Sequence, residues 1–208
     1  MNAAGVVLCG GRSSRMGTSK ALLEFGSETM LQRVVRLLGT AVSPIVVVAA
    51  PGQILPALAA SVTVARDEQE GRGPLEGLRA GLKALPASVD VAYITSCDVP
   101  LLVPAFVRRM VELTAGFDIA VVEIDGRLQP LSAVYRRDRV LPEADQLLAA
   151  DRRRPIFLFE TLRTRRVLPA EMMQVDPQLL TLQNLNTPED YKKALAVAGL
   201  SEHSDCGR

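Results

Sequence analysis

Near its N-terminus the chain passes from an apolar run into a glycine-rich, cationic loop: Ala3-Ala4-Gly5-Val6-Val7-Leu8-Cys9-Gly10-Gly11-Arg12-Ser13-Ser14-Arg15-Met16-Gly17-Thr18-Ser19-Lys20. The apolar residues at its start are typical of a strand that is buried on both faces. Gly10 and Gly11 allow the backbone to approach an anion closely and to aim its N–H groups at anionic oxygens. Arg15 and Lys20 can neutralise phosphate charge, the first as a planar fork and the second as a point charge. The order of these residues behind a strand favours a polyphosphate site over a solvated surface loop.

This loop matches neither of the two most common nucleotide-binding motifs. A P-loop requires Gly-x-x-x-x-Gly-Lys-Ser/Thr, whereas Lys20 follows Ser19 and precedes Ala21. A dinucleotide fingerprint requires Gly-x-Gly-x-x-Gly, which Gly10-Gly11-Arg12 does not supply. The loop therefore indicates a different kind of phosphate binding.

Length and composition indicate a protein with its own hydrophobic core. The chain has 208 residues, and 24 Lys and Arg nearly balance 23 Asp and Glu, which argues against a general nucleic-acid or membrane-surface binder. Three cysteines without a Cys-x-x-Cys pair indicate neither a zinc site nor a disulfide framework. No secretory signal is visible, and no apolar stretch approaches the roughly 20 residues that span a bilayer. We therefore expect a cytoplasmic protein.

Apolar runs of strand length alternate with amphipathic helical patterns. Strands are expected at Ala3–Cys9, Ile45–Ala50, Val62–Ala65, Val91–Thr95, Ile119–Val122, Ser132–Tyr135 and Arg165–Leu168. Helices are expected at Met30–Leu38, Ile54–Ala60, Leu75–Leu85, Pro104–Thr114, Arg139–Ala150 and Pro155–Leu162, with a last one after Thr187 as N-cap. This alternation predicts an α/β fold of three layers, a mostly parallel sheet with helices on both faces. We expect one domain over residues 1–208 with a frayed tail at 201–208, and ligands outside the carboxyl ends of the strands.

A carboxylate follows the fourth expected strand in Thr95-Ser96-Cys97-Asp98-Val99-Pro100. Mg²⁺ prefers hard oxygen ligands and is usually bound by one or two protein carboxylates together with substrate phosphates. The alternative is that Asp98 caps the helix that starts near Pro104, because Asp-x-Pro is a common turn. In combination with the N-terminal loop, the sequence favours the metal role.

The loop resembles the signature Leu-x-Gly-Gly-x-x-x-Arg-Met-Gly-x-x-Lys of the nucleotidyltransferases with a Rossmann-like, GT-A-like fold. Within that superfamily the chain is most similar to the molybdenum cofactor guanylyltransferases. Asp67, a short spacer and Gly73-Pro74-Leu75-Glu76-Gly77 follow the pattern of the guanylyl-transferring branch, whereas the cytidylyl-transferring branch has Gly-Met-x-x-Ser-Leu here. The resemblance implies that Leu8, Cys9, Gly10, Gly11, Arg15, Lys20, Asp67, Gly73 and Asp98 bind the nucleotide, that Lys20, Arg15 and Asp98 are catalytic, and that Asp98 holds the metal.

Two later segments complete the resemblance. Gln129-Pro130-Leu131 is similar to the family segment on the pterin side of the cleft, and Asn184-Leu185-Asn186-Thr187-Pro188-Glu189-Asp190 to its Asn-x-Asn-Thr-Pro-Glu-Asp ending. For Asn184 and Asn186 a structural role at the helix cap stays as well supported as substrate contact. Ser19 and Ala49–Gly52 depart from the family pattern, which usually has Asp before the loop lysine and tends to have Asn after the second strand. Both departures remove polar groups that the family pattern has, so we expect fewer contacts to the ribose and a lower catalytic efficiency.

The resemblance implies transfer of GMP from GTP, with Mg²⁺ as cofactor, to the terminal phosphate of molybdopterin, with release of pyrophosphate. It also implies transient contact with cofactor-delivery proteins or molybdoenzymes, while the charge balance predicts no nucleic-acid or membrane partner. Two alternatives stay open. One is a cytidylyl- or sugar-phosphate nucleotidyltransferase of the same fold, and the other is a nucleotide-binding adaptor without turnover.

Overall fold

A seven-stranded sheet forms the centre of the fold in a computed structural model that describes residues 1–9, 19–66 and 73–200. The strands in these ranges are β1 (Ala3–Leu8), β2 (Glu24–Phe25), β3 (Glu28–Thr29), β4 (Ile45–Ala49), β5 (Val62–Arg66), β6 (Val91–Ser96), β7 (Ile119–Ile124), β8 (Arg127–Arg136) and β9 (Thr164–Val167). The helices there are α1 (Met30–Gly39), α2 (Pro74–Ala84), α3 (Pro104–Leu113), α4 (Arg137–Ala149), α5 (Leu158–Thr161), α6 (Pro169–Met172) and α7 (Pro188–Val197).

The sheet is mostly parallel, as predicted. Its strand order is β5-β4-β1-β6-β8-β7-β9, and β2 pairs with β3 in a separate small hairpin. Strands β5, β4, β1 and β6 are parallel, and β8 alone runs in the opposite direction, between β6 and β7. Because six strands share one direction, their carboxyl ends form a common edge.

Helices cover both faces of the sheet, which confirms the three-layer prediction. On one face Leu31 of α1 and Phe106 of α3 pack with Val7 of β1. On the other face Leu78 of α2 and residues of α4 pack with Val6 of the same strand. Successive residues of a strand point to opposite faces, so a continuous apolar run such as Val6–Leu8 is buried on both sides. Within the described ranges no helix has the length and apolarity needed to cross a membrane.

The predicted helix over Ile54–Ala60 is wrong, because this segment has no regular secondary structure. Pro56 disfavours the helical conformation at the preceding residue. The side-chain amide of Gln32 also donates a hydrogen bond of 2.8 Å to the carbonyl of Ala57, which supports the irregular path. Leu55 and Leu58 still pack against the core. The apolar spacing thus reflects burial of the segment without a helix.

The second half follows the expectations with shifted boundaries. The strand expected at Ser132–Tyr135 is the inner part of the longer β8, and the strand expected at Arg165–Leu168 is β9, shifted by one residue. The helix expected at Pro155–Leu162 is a 3-10 turn, Pro155–Phe157, followed by the single turn α5. Thr187 caps α7 as predicted, and its hydroxyl accepts a hydrogen bond from the N–H of Asp190.

Gly73 begins α2 in a conformation that only glycine adopts easily, with φ of +82°. A Cβ built there would lie 2.9 Å from the carbonyl oxygen of Arg153, which also accepts the N–H of Leu75 at 3.3 Å. Main chain of the loop after α4 thus approaches the start of α2 too closely for a side chain.

We expect Gly73→Ala to lower the free energy of unfolding by about 1–3 kcal/mol, because it adds backbone strain and a steric clash. Denaturant unfolding monitored by circular dichroism measures this loss. Gly116→Ala is the matched control, since Gly116 has a similar φ of +79° but open space around its Cβ. Equal losses of unfolding free energy in the two variants would show that the steric clash with Arg153 does not add to the backbone strain.

Candidate active site

The ends of two neighbouring strands bring the N-terminal loop and the predicted metal ligand together. Leu8, the last residue of β1, pairs with Ser96, the last residue of β6. The N–H of Cys97 donates to the carbonyl of Leu8 at 3.1 Å, and Cys9 donates to Val48 of β4 at 2.8 Å. Leu8 and Cys9 therefore lie at the carboxyl edge of the sheet, where the sequence predicted a ligand site.

Lys20 joins two parts of the chain that are distant in sequence. Its Nζ lies 2.9 Å from Oδ2 of Asp98 and 2.9 Å from Oδ1 of Asn186. The side chains of Lys20 and Asp98 are 17% and 14% exposed, so the ion pair is screened by water much less than a surface pair. We call these three residues the Lys20 cluster. Two predicted catalytic residues are thus in direct contact, and one predicted substrate residue completes the set.

Two contacts besides the ion pair with Lys20 hold the carboxylate and the main chain of Asp98 in place. Oδ1 accepts a hydrogen bond from the hydroxyl of Ser96, while Oδ2 accepts from Lys20. The carbonyl of Asp98 accepts from the N–H of Leu185 at 2.9 Å. Sequence reasoning missed Ser96 as a site residue, although the Ser-x-Asp spacing at the end of a strand was visible. The alternative role of Asp98 as a cap of α3 is wrong, because Val103 occupies that N-cap position.

Asn186 has the structural role at the helix cap that the sequence offered, and its side chain also contacts Lys20, while substrate contact stays a prediction. Its N–H and that of Thr187 both donate to Oδ2 of Asp190, at 3.1 and 3.0 Å. These hydrogen bonds, led by the one from Asn186, lower the pKa of Asp190 below its ordinary value. The cap of α7 therefore fixes the main chain of Asn186, while its side chain reaches Lys20. Asn184 is exposed two residues earlier, outside the Lys20 cluster.

Gln129 and Pro130 lie in the first half of β8, at the same edge of the sheet as Asp98. Because β8 is antiparallel to β6 and pairs Ala133 with Ile94, the residues before Leu131 extend past Ser96, the end of β6. The hydroxyl of Tyr135 donates to the carbonyl of Pro130 at 2.8 Å, and the amide of Gln129 donates to the carbonyl of Arg127 at 3.3 Å. Both residues are partly buried and stand beside the Lys20 cluster in the strand order.

Cys9 and Cys97 are buried free thiols that directly follow β1 and β6. The hydrogen bond between their side chains and the burial of Cys9 raise the pKa of the Cys9 thiol well above its ordinary value. A thiol that stays protonated at neutral pH is a poor nucleophile. Cys9 therefore contributes main-chain groups and packing.

Four predicted site residues, Gly10, Gly11, Arg15 and Asp67, lie outside the described residues, and their roles stay predictions. Gly73 occupies the N-cap position of α2. The structure thus places Leu8, Cys9, Lys20 and Asp98 at one edge of the sheet.

The described residues suit a divalent cation that arrives together with a substrate. No group of three His, Cys, Asp or Glu side chains within them could hold a metal ion alone. Asp98 offers one carboxylate that is held in place by hydrogen bonds. The ammonium of Lys20 contacts its Oδ2, so a divalent cation that binds this oxygen would displace Lys20. Mg²⁺ commonly takes one or two carboxylates and completes its shell with phosphate oxygens and water. The donor set around Asp98 fits that pattern.

The chain is similar in sequence and in fold to proteins that are already known. The model of the MobA-like NTP transferase domain matches residues 5–165. A protein of Pelotomaculum thermopropionicum named probable molybdenum cofactor guanylyltransferase is 33% identical over 208 residues, covering 100% of this chain and 98% of its own length. The crystal structure of molybdopterin-guanine dinucleotide biosynthesis protein A from Archaeoglobus fulgidus has a TM-score of 0.77 at 19% identity, covering 94% of this chain and 98% of that one. A Mycobacterium tuberculosis protein in complex with manganese has a TM-score of 0.66 at 18% identity, covering 94% and 99%.

Proposed function

Since the chain belongs to the family of MobA-like NTP transferase domains, we propose that it transfers GMP from GTP to the terminal phosphate of molybdopterin. The products are the guanine dinucleotide form of the cofactor and pyrophosphate. The full-length similarity to a probable molybdenum cofactor guanylyltransferase supports both the nucleotide and the acceptor. The observation that carries the proposal is the Lys20 cluster, which unites a cation, a carboxylate and an amide at the carboxyl edge of a mostly parallel sheet.

The proposed reaction requires no general base. An oxygen of the acceptor phosphate is already anionic and attacks the α-phosphorus of GTP, and the bond from that phosphorus to the bridging oxygen of pyrophosphate breaks. The electron pair of this bond leaves with pyrophosphate. The single histidine of the chain, His203, lies outside the described residues and is not needed. Catalysis can therefore rest on alignment and on neutralisation of charge.

Each residue of the Lys20 cluster has a proposed role. Lys20 exchanges Asp98 for the triphosphate and stabilises the charge that develops on departing pyrophosphate. Asp98 holds Mg²⁺, with Ser96 keeping its carboxylate oriented. Bound Mg²⁺ supplies Lewis-acid neutralisation of phosphate charge. Asn186 orients Lys20, and its amide can also bind the pterin edge, on whose side we place Gln129, Pro130 and Asn184.

The remaining roles rest on the N-terminal loop and on the segment before α2. We propose that main-chain N–H groups of Gly10 and Gly11 bind the triphosphate together with Arg15, and that Leu8 and Cys9, whose own main-chain groups pair with neighbouring strands, form the base of the nucleotide site. Asp67 and Gly73 belong to the ribose or base region. A location in the cytoplasm and transient delivery of the product to molybdoenzymes stay predictions.

Nucleotide selectivity tests the function directly. The protein is incubated with Mg²⁺, molybdopterin cofactor and each of the four ribonucleoside triphosphates in turn, and pyrophosphate is measured. We expect release with GTP that depends on the acceptor. Release with CTP but not GTP would contradict the guanylyl assignment. Binding of GTP in calorimetry without pyrophosphate, with authentic acceptor present, would identify a nucleotide-binding adaptor instead.

A further inference from the structure

Gln53 lies in the loop after β4, and its side chain contacts two residues on either side of the predicted phosphate-binding loop. Its Nε2 donates to the carbonyl of Cys9 at 3.1 Å and lies 3.5 Å from the hydroxyl oxygen of Ser19. In the sequence, Cys9 directly precedes Gly10 and Gly11, and Ser19 follows Arg15 and directly precedes Lys20. One amide group therefore contacts both residues that flank the predicted phosphate-binding loop.

The orientation of this amide follows from its neighbours. Oε1 of Gln53 accepts the N–H of Ala50 at 3.0 Å. A reversed amide would place oxygen against the carbonyl of Cys9 and N–H groups against the N–H of Ala50, and both contacts would be repulsive. Each N–H of Nε2 thus has its own acceptor, and the carbonyl has its own donor.

The main chain of Gln53 is itself anchored. Its N–H donates to the carbonyl of Ala50 at 3.1 Å, which closes a turn directly after β4. One guanidinium nitrogen of Arg66, the last residue of β5, donates to the carbonyls of Ala50 and Gln53 at 3.0 and 3.3 Å. A half-buried side chain on a fixed turn loses little rotational freedom when it forms its hydrogen bonds, so this geometry favours the bridge.

Ser19 connects the bridge to Lys20. The carbonyl of Ser19 accepts the N–H of Leu22 at 2.9 Å, so Ser19 starts the 3-10 turn that contains Lys20. The position of this turn determines whether the ammonium of Lys20 reaches Asp98 and Asn186. Contacts that hold Ser19 near Cys9 therefore also fix the main chain of Lys20, from which its side chain extends.

We propose that Gln53 is a positioning residue, which holds Cys9 beside Ser19 and so sets Lys20 for triphosphate binding. This inference rests on the proposed function. Gln53 contacts the chain and not the reacting atoms, so its loss weakens nucleotide binding by misplacing Lys20. The acceptor site, on the other side of the Lys20 cluster, should be unaffected.

Gln53→Met tests the proposal, because methionine keeps the length of the side chain and removes both donors. We expect the Kd of Mg·GTP, measured by calorimetry, to rise about tenfold, which corresponds to the loss of one or two hydrogen bonds. We also expect the amide of Leu22 to exchange its hydrogen faster without nucleotide, while the KM for the acceptor stays unchanged.

Gln32→Met is the matched control. The amide of Gln32 also donates to main chain of the segment that follows β4, at Ala57, but does not contact Cys9 or Ser19. This variant should lose stability, because Gln32 also closes the capping box of α1, and should keep the wild-type Kd for Mg·GTP.

A double-mutant cycle with Ser19→Ala gives the second measurement. If the bridge acts through Ser19, Ser19→Ala weakens nucleotide binding in the wild-type background and has little effect once Gln53 is methionine. An unchanged Kd together with unchanged exchange at Leu22 in Gln53→Met would overturn the proposal. Failure of the wild type to bind GTP would instead contradict the proposed function, and exchange at Leu22 would still test the bridge.

Discussion

Asp98→Asn is expected to lower turnover by about 10²–10⁴-fold, because charge stabilisation by a bound metal is worth several kcal/mol. Asparagine keeps the size of the side chain and retains one oxygen, which can still accept a hydrogen bond from either Ser96 or Lys20. It removes the negative charge that a divalent cation requires. Steady-state release of pyrophosphate measures the loss, and calorimetry with Mn²⁺ in the presence of nucleotide should show weaker metal binding.

Asp90→Asn is the matched control for this substitution. Asp90 directly precedes β6, whereas Asp98 follows it, so the two carboxylates stand at opposite ends of one strand. Asp90 accepts the N–H of Asn2 at 2.7 Å, far from the carboxyl edge, and its variant should keep normal turnover. Normal turnover in Asp98→Asn would remove the metal assignment, and unfolding of that variant would give Asp98 a structural role.

Lys20→Met is expected to lower turnover by about 10²–10³-fold, the cost of removing one donor that stabilises developing charge. The KM for GTP should rise as well, because the ammonium also binds the triphosphate in the ground state. Mn²⁺ binding in the presence of saturating nucleotide should not weaken, since the substitution frees Oδ2 of Asp98. This separates the variant from Asp98→Asn, in which metal binding falls.

Lys83→Met serves as control, because Lys83 lies in the last turn of α2, at the other end of that helix from Gly73. Lys83→Met should keep normal turnover, and Lys20→Met should remain folded, with a far-UV circular dichroism spectrum like that of the wild type. If Lys20→Met weakened Mn²⁺ binding as strongly as Asp98→Asn, Lys20 would be organising the metal site and would have no separate role toward the triphosphate.

The sheet and its covering helices could be predicted because their signals are local. A run such as Val46–Val48 is apolar on both faces, and a helix such as α1 carries an apolar stripe after a capping residue. The first half of β8 was missed because Arg127–Leu131 contains Pro130 and polar side chains. That half becomes a strand through pairing with β7, a contact that no local pattern reports.

The site was predictable where residues follow strands, and not where contacts depend on tertiary structure. The position of Asp98 after β6 and of the loop after β1 places both at one edge, which the Lys20–Asp98 ion pair confirms. The stretch Ala49–Gly52 lacks a polar side chain, as noted from the sequence. Gln53 brings an amide to Ser19 from the same turn, and no spacing rule indicates it.

Two contacts from the region before α7 have a consequence for the order in which the protein matures on the ribosome. Leu185 and Asn186 bind Asp98 and Lys20, yet the last strand, β9, already ends at Val167. Domains generally begin to fold during synthesis, and contacts between residues far apart in sequence form late. A nascent chain can therefore complete its sheet before the residues that secure Lys20 and Asp98 have emerged. The competence of this protein to engage its nucleotide is then acquired only after the segment that precedes α7 has emerged.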